Sequence, residues 1–211
     1  MRRKNQLLQD RLVWQAASLL LAYPDDQQGR RLDTVNKLLE RITGPNAALL
    51  GTTVATLRMQ NTMQAAAYYV ETFDLRRRST MLLTYWTAGD TRNRGAEMLV
   101  FAQSYRDAGV QPPKGEAPDH LPVVLEFAAT VDPVAGRRLL ADHRVPIDVL
   151  RRALVDAGSP YAPAVAAVVA TLPAVGDQDA RRLLHSGPPA EAVGLQPFQL
   201  TVPPRRAEGG R

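Results

Sequence analysis

Apolar residues recur at three- and four-residue intervals along most of the chain, the spacing of a helix face. Leu12, Ala16, Leu19, Leu20 and Tyr23 share one such face, which Pro24 ends. Leu32, Val35, Leu38, Leu39 and Ile42 repeat it, and Gly44-Pro45 stops it. Residues 46–111 contain no proline, and within them Met59, Met63, Ala66, Val70 and Phe73 read as one continuous stripe. Leu82, Tyr85 and Trp86 predict a shorter helix. Met98, Ala102 and Tyr105 predict another, opened by Asp90 or Thr91 and closed by Gly109.

The second half is punctuated differently. Residues 111–118 form a loop with Pro112-Pro113, followed by the stripe Leu121, Val124, Leu125, Ala128 and Val131. Asp132-Pro133 and Ser159-Pro160 each set a capping residue before a proline suited to the first helical position. Ile147, Leu150, Leu154 and Ala157 form a stripe closed by Gly158, and Val165, Val168, Val169 and Leu172 form another. No segment alternates at period two, so no strand is required. The pattern predicts an all-α protein, a single helical-bundle domain of about nine helices over residues 5–185. Residues 1–4 read as a basic N-terminal extension and residues 186–211 as a Gly/Pro-rich flexible tail. Nine of positions 187–211 are Gly or Pro, and little apolar surface remains there to offset the entropy of ordering.

Composition narrows the chemistry. The 211 residues include no cysteine, which excludes disulfides, thiolate metal sites and cysteine nucleophiles. The net charge of +5 and the pI of 9.9 come from the ends: Arg2, Arg3 and Lys4 at the start, and Arg205, Arg206 and Arg211 against Glu208 at the finish. Residues 5–197 are neutral, which argues against a nucleic-acid-binding body. Asp10 and Arg11 interrupt any apolar run after the basic start. The uncharged stretch 157–176 carries Pro160, Pro163 and Pro173 and reads as a buried helix rather than a span. The expectation is a soluble cytoplasmic protein without stable membrane insertion.

Enzyme constellations are poor. His120, His143 and His185 stand far apart, with no metal-ligand spacing, and no serine has an identifiable base. Gly89–Gly95 lacks the glycine spacing and preceding strand of a phosphate loop, so Arg92 and Arg94 read as exposed arginines at a helix start. Arg76-Arg77-Arg78 either complements a helix C-terminus or clamps phosphate. In Glu116-Ala117-Pro118-Asp119-His120-Leu121-Pro122, Asp119 fits an N-cap. Asp119 and Glu126, seven apart, project to one side, away from the apolar stripe. This stretch is either a capped helix facing water or an acidic lip for arginines or amides of a bound peptide. Tyr68–Asp74 is either an aromatic helix end in the core or the wall of a groove for a docked helix.

The ordered string of these motifs resembles one family. Tyr69–Asp74, Arg77–Thr80, Leu82-Leu83, Gly89–Met98, Tyr105, Ala108-Gly109, Pro118–Pro122 and Leu125-Glu126 closely resemble the NarJ family, and Ala17–Asp25 fits it too. These are the assembly chaperones, or delta subunits, of respiratory nitrate reductase. The resemblance covers roughly residues 12–172. It implies an all-helical, non-catalytic chaperone without a catalytic or metal site. Its expected partner is the N-terminal segment of the nitrate reductase catalytic (alpha) subunit, held apo in the cytoplasm for molybdenum cofactor insertion. That cofactor belongs to the client, and none is bound permanently. The resemblance favours Glu116, Asp119, His120 and Glu126 as client-peptide contacts, followed by Tyr69, Phe73 and Trp86. The alternative class is a helical regulatory or nucleic-acid-associated protein using the basic tails and Arg76–Arg78.

Overall fold

In a computed structural model, the structure describes residues 2–112, 114–174 and 177–189, and the described residues form eleven α-helices and no strand. The long first helix, α1 (Arg2–Leu21), is central to the core in its second half: Val13, Trp14, Ala16, Ala17, Leu20 and Leu21 are buried. Around it pack α2 (Gln28–Leu39), α3 (Pro45–Arg58), α7 (Leu121–Thr130) and α10 (Ala162–Ala170). Helix α7 is apolar on almost every side because α1 covers one face and α8 (Pro133–Asp142) another. The remaining helices are α4 (Thr62–Tyr69), α5 (Tyr85–Ala88), α6 (Arg92–Asp107), α9 (Arg144–Asp156) and α11 (Asp177–Ser186).

The helix count exceeds the expected nine for identifiable reasons. Helix α3, Pro45–Arg58, occupies a stretch that none of the stripes covers, and the stripe read across Met59–Phe73 begins only after α3 has ended and continues through α4. Asn61 interrupts it with a capping box, its side chain accepting the Gln64 N–H at 2.9 Å while the Gln64 side chain accepts the Asn61 N–H. Met59 and Met63 flank that break and are 88% and 83% exposed, not core. Helix α11 lies beyond the last stripe. The basic residues from Arg2 continue into α1 rather than forming a separate extension. Of the tail expected over 186–211, residues 190–211 lie outside the described residues.

Local signals otherwise act as their chemistry dictates, with small shifts. Thr91 caps α6 by accepting the Asn93 N–H at 3.2 Å, and Asp132 caps α8 by accepting from Val134 and Ala135, both at 2.9 Å. Ser159 precedes its helix by more than expected. Helix α10 starts at Ala162, with Pro163 in its first turn.

Several polar groups inside the bundle are tied across helices. Trp14 donates to Thr171 at 2.8 Å, fastening α1 to the end of α10. Asp10 is buried beneath Arg137 at 2.8 Å, and Arg137 also donates to the Thr171 carbonyl at 3.1 Å. Gly136 sets how closely α8 approaches α7, since a Cβ there would overlap the backbone and Cβ of Ala128. Gly136→Ala should therefore cost about 1–3 kcal/mol by overpacking, despite alanine's better helix propensity. Urea unfolding checks this, and an unchanged or raised midpoint would show that α8 slides away freely.

Helix α9 holds a nearly buried charge cluster. Asp148 accepts from Arg151 and Arg152, both at 2.8 Å, with Arg144 at 3.8 Å. Burial pushes the Asp148 carboxyl up, but the hydrogen bonds from Arg152 and Arg151 and their charges outweigh it and hold it below its ordinary 3.8. A carboxyl depressed on folding stabilises the fold above its unfolded value and loses that contribution as pH falls through the folded one. Asp148→Asn should thus cost about 2–3 kcal/mol at pH 7, by removing the carboxylate that Arg144, Arg151 and Arg152 share. The gap between variant and parent should narrow below pH 3.8. Denaturation at neutral and acid pH measures it, and a gap independent of pH would locate the effect elsewhere.

Candidate binding groove

The site is built where α4 ends. Its last turn widens into a π-turn, Val70–Asp74, in which Leu75 donates to the Val70 carbonyl at 3.0 Å. The extra residue per turn turns Phe73 inward and leaves Asp74 at the surface. Downstream, Met81–Leu83 pairs antiparallel with Asp119–Leu121. Leu83 donates to the Asp119 carbonyl at 3.1 Å and Leu121 to the Met81 carbonyl at 2.9 Å. This lone bridge is too short to read as a period-two pattern. It fixes the entry to α5 against the N-terminus of α7. Tyr105 donates to the Pro118 carbonyl at 2.6 Å and holds the Glu116–Asp119 loop from the other side.

Two cavities open on this framework. The first, about 460 Å³, has Phe73, Met81, Leu82 and Tyr85 as its apolar floor and Asp74, Asp90 and Glu116 at its rim. The second, about 490 Å³, lies against α1 and α7, floored by Leu19, Ala22, Tyr69 and Val123 and rimmed by Glu126. Glu116 and His120 line both, so the two form one groove with this pair between them. The His120 ring stands 3.2 Å from Glu116, and the two side chains are 24% and 51% exposed. The wall beneath is aromatic. Tyr69 and Phe73 rings meet at 4.8 Å, and both pack on Tyr161, at 6.0 and 5.0 Å. Burial keeps the Tyr69 phenol well above its usual range, so it stays neutral and donates to the Leu21 carbonyl at 3.1 Å.

The groove is acidic in a neutral body. Asp74, Asp90, Glu116 and Glu126 line it against Arg77 and Arg31. Arg31 is engaged elsewhere, at 2.8 Å from Asp25 and donating to the Tyr23 carbonyl at 2.6 Å. Its hydrogen bond is the main reason the Asp25 carboxyl sits below its usual range.

Five of the seven residues favoured from sequence, Glu116, His120, Glu126, Tyr69 and Phe73, line this groove. Two do not. Asp119 is wholly buried. Its carboxylate accepts from the Thr84 N–H at 3.1 Å and the Thr84 hydroxyl at 2.6 Å, and Arg94 lies 3.9 Å away. Asp119 also does not cap α7, whose N-cap position is His120. Trp86 is buried in a separate cluster with Tyr85, Val149 and Leu183. Asp74, Asp90, Met81, Leu82 and the α1 residues were missed. The Met81 and Leu82 signal was there, an apolar pair beside the marked aromatic stretch, but no period tied it to a face. Arg76–Arg78 line a different cavity of about 380 Å³ with Asp156, and Arg76 pairs with Glu71. Among the described residues, no group of three His, Asp or Glu could hold a metal ion, and no helix is long and apolar enough to cross a membrane.

Comparison with known proteins adds a second line. The family model of the nitrate reductase delta subunit matches residues 35–167. The chain is 60% identical over 166 residues to the nitrate reductase-like protein NarX of Mycobacterium tuberculosis, covering 79% of this chain and 25% of NarX. It is 30% identical over 166 residues to the probable nitrate reductase molybdenum cofactor assembly chaperone NarJ of Bacillus subtilis, covering 78% of this chain and 90% of that protein. It is 30% identical over 148 residues to the nitrate reductase molybdenum cofactor assembly chaperone NarJ of Escherichia coli, covering 69% and 63%. The chain thus spans a quarter of NarX but nearly all of the Bacillus NarJ.

Proposed function

This chain belongs to the nitrate reductase delta subunit family, and on that premise we propose that it is a dedicated assembly chaperone rather than an enzyme. It binds the apo catalytic subunit of nitrate reductase in the cytoplasm, through that subunit's N-terminal segment, and holds it open to molybdenum cofactor insertion. The cofactor is cargo for the client and needs no resident site on this chain. Relatives named as molybdenum cofactor assembly chaperones support the role.

The observation that carries the reading is the groove itself. An apolar floor with an acidic rim suits a short amphipathic helix, its apolar side down and its basic or amide groups toward Glu116 and Glu126. Buried anchors on Phe73, Tyr69 and Met81 supply affinity, while the rim sets orientation and on-rate. The test is calorimetric titration of the full chain with the N-terminal peptide of its cognate catalytic subunit, beside a scrambled peptide. Saturable binding of the native sequence alone is the expected result. Equal binding of both, or of neither, would remove the N-terminal segment as the client site.

A further inference from the structure

The described chain ends beside the groove. Helix α11 packs on α9, and Leu183 reaches into the Tyr85, Trp86 and Val149 cluster. Gly187 closes the helix, its N–H donating to the Leu183 carbonyl at 3.0 Å with φ at +71°. The chain then crosses the turn after α5, where Pro189 sits so close to Gly89 that a Cβ there would overlap the Pro189 carbonyl. Gly89 has φ +63° and precedes Asp90, a rim residue of the first cavity. Pro189, the last described residue, therefore stands next to the rim of the groove.

We propose that residues 190–211 dock back into this groove as an intramolecular occupant that any client must displace. Their chemistry matches the surface. Leu195, Phe198, Leu200 and Val202 bring apolar groups in a short span, and Arg205 and Arg206 follow them directly after Pro203-Pro204. The groove offers an apolar floor and then the carboxylates of Asp74, Asp90, Glu116 and Glu126. At about 3.3 Å per extended residue, the segment reaches roughly 70 Å, ample for the whole groove. Tethering at Pro189 gives it a high local concentration, so weak contacts suffice. The competition with client rests on the chaperone reading, whereas the docking itself does not.

The absence of cysteine supplies the test. A nitroxide on Gln199→Cys of the full chain, with no client present, should broaden the amides of Met81, Leu82, Glu116 and His120. Replacing Arg205 and Arg206 by Glu in the labelled chain should largely abolish that broadening. In the unlabelled chain the same pair should tighten client-peptide binding about five- to tenfold, by freeing an occluded groove. Broadening confined to another face overturns the proposal. So does broadening that appears only between separate labelled and unlabelled chains, because a second copy would then supply the segment. Intact broadening that client peptide does not relieve keeps the docking and overturns only the client reading. Unbroadened groove amides with normal peptide affinity do the reverse.

Discussion

Asp119→Ala is expected to lower the unfolding free energy by about 2–4 kcal/mol, the cost of leaving a buried polar network without its acceptor. Asp119 is 0% exposed and receives both donors of Thr84. Its own carbonyl accepts from Leu83, so the residue ties the entry of α5 to the loop before α7 twice over. Arg94, which also donates to Thr84 at 3.2 Å, would face a hydroxyl with no anion behind it. Asp119→Asn keeps the shape and one acceptor oxygen, and should cost about half as much. Chemical denaturation ranks the three chains. Peptide affinity measured on the folded variants should change less than threefold. A large affinity loss at unchanged stability would instead make Asp119 a direct contact.

That expectation differs from the one drawn from spacing, and the reason is physical. A carboxylate before Leu121-Pro122 has the chain position of an N-cap, so sequence alone gives it to α7 or to solvent. Its actual partner, Thr84, lies 35 positions away and carries no local signature. Trp86 fails as a groove residue for a similar reason. Its covering surface comes from α9 and α11, and α11 is a short polar-looking segment, Asp177–Ser186, whose Leu183 matters only once α9 is beside it.

Helix identity was legible wherever chemistry is local: capping at Thr91 and Asp132, termination at Gly109 and Gly158, and the apolar faces of α2, α7 and α9. The break at Asn61 was equally local but hidden, because an apolar stripe ran through it and no glycine or proline marked it. The π-turn leaves a weaker trace still, since an extra residue per turn changes phase without changing composition. Glu116, His120, Phe73 and Tyr69 were found together by motif resemblance. Their convergence on one groove depends on the bridge between Met81–Leu83 and Asp119–Leu121. Asp74 and Asp90 share the rim only through that pairing, which explains why reading each segment alone left them out.

Reversing the rim charge is expected to have the largest effect on binding with the least on folding. Glu116 and Glu126 sit on the groove's exposed edge, and Glu116 has His120 as its ring partner. Neither carboxylate supports the helical frame, so Glu116→Lys with Glu126→Lys should move the unfolding midpoint little, by about 0.5 kcal/mol or less. Each exposed pair with a basic client group contributes about 0.2–1 kcal/mol, and reversal replaces attraction with repulsion. Together the two should cost about 2–3 kcal/mol, a 30- to 150-fold loss of affinity for the N-terminal client peptide. Salt separates this from a packing effect. The gap should shrink severalfold between about 0.05 M and 0.5 M salt, because exposed charges are screened while apolar anchoring on Phe73 and Met81 persists. The neutral pair Glu116→Gln with Glu126→Gln should fall between parent and reversal. A full-sized loss in the neutral pair, or a gap indifferent to salt, would mean that the rim acts by shape rather than by charge.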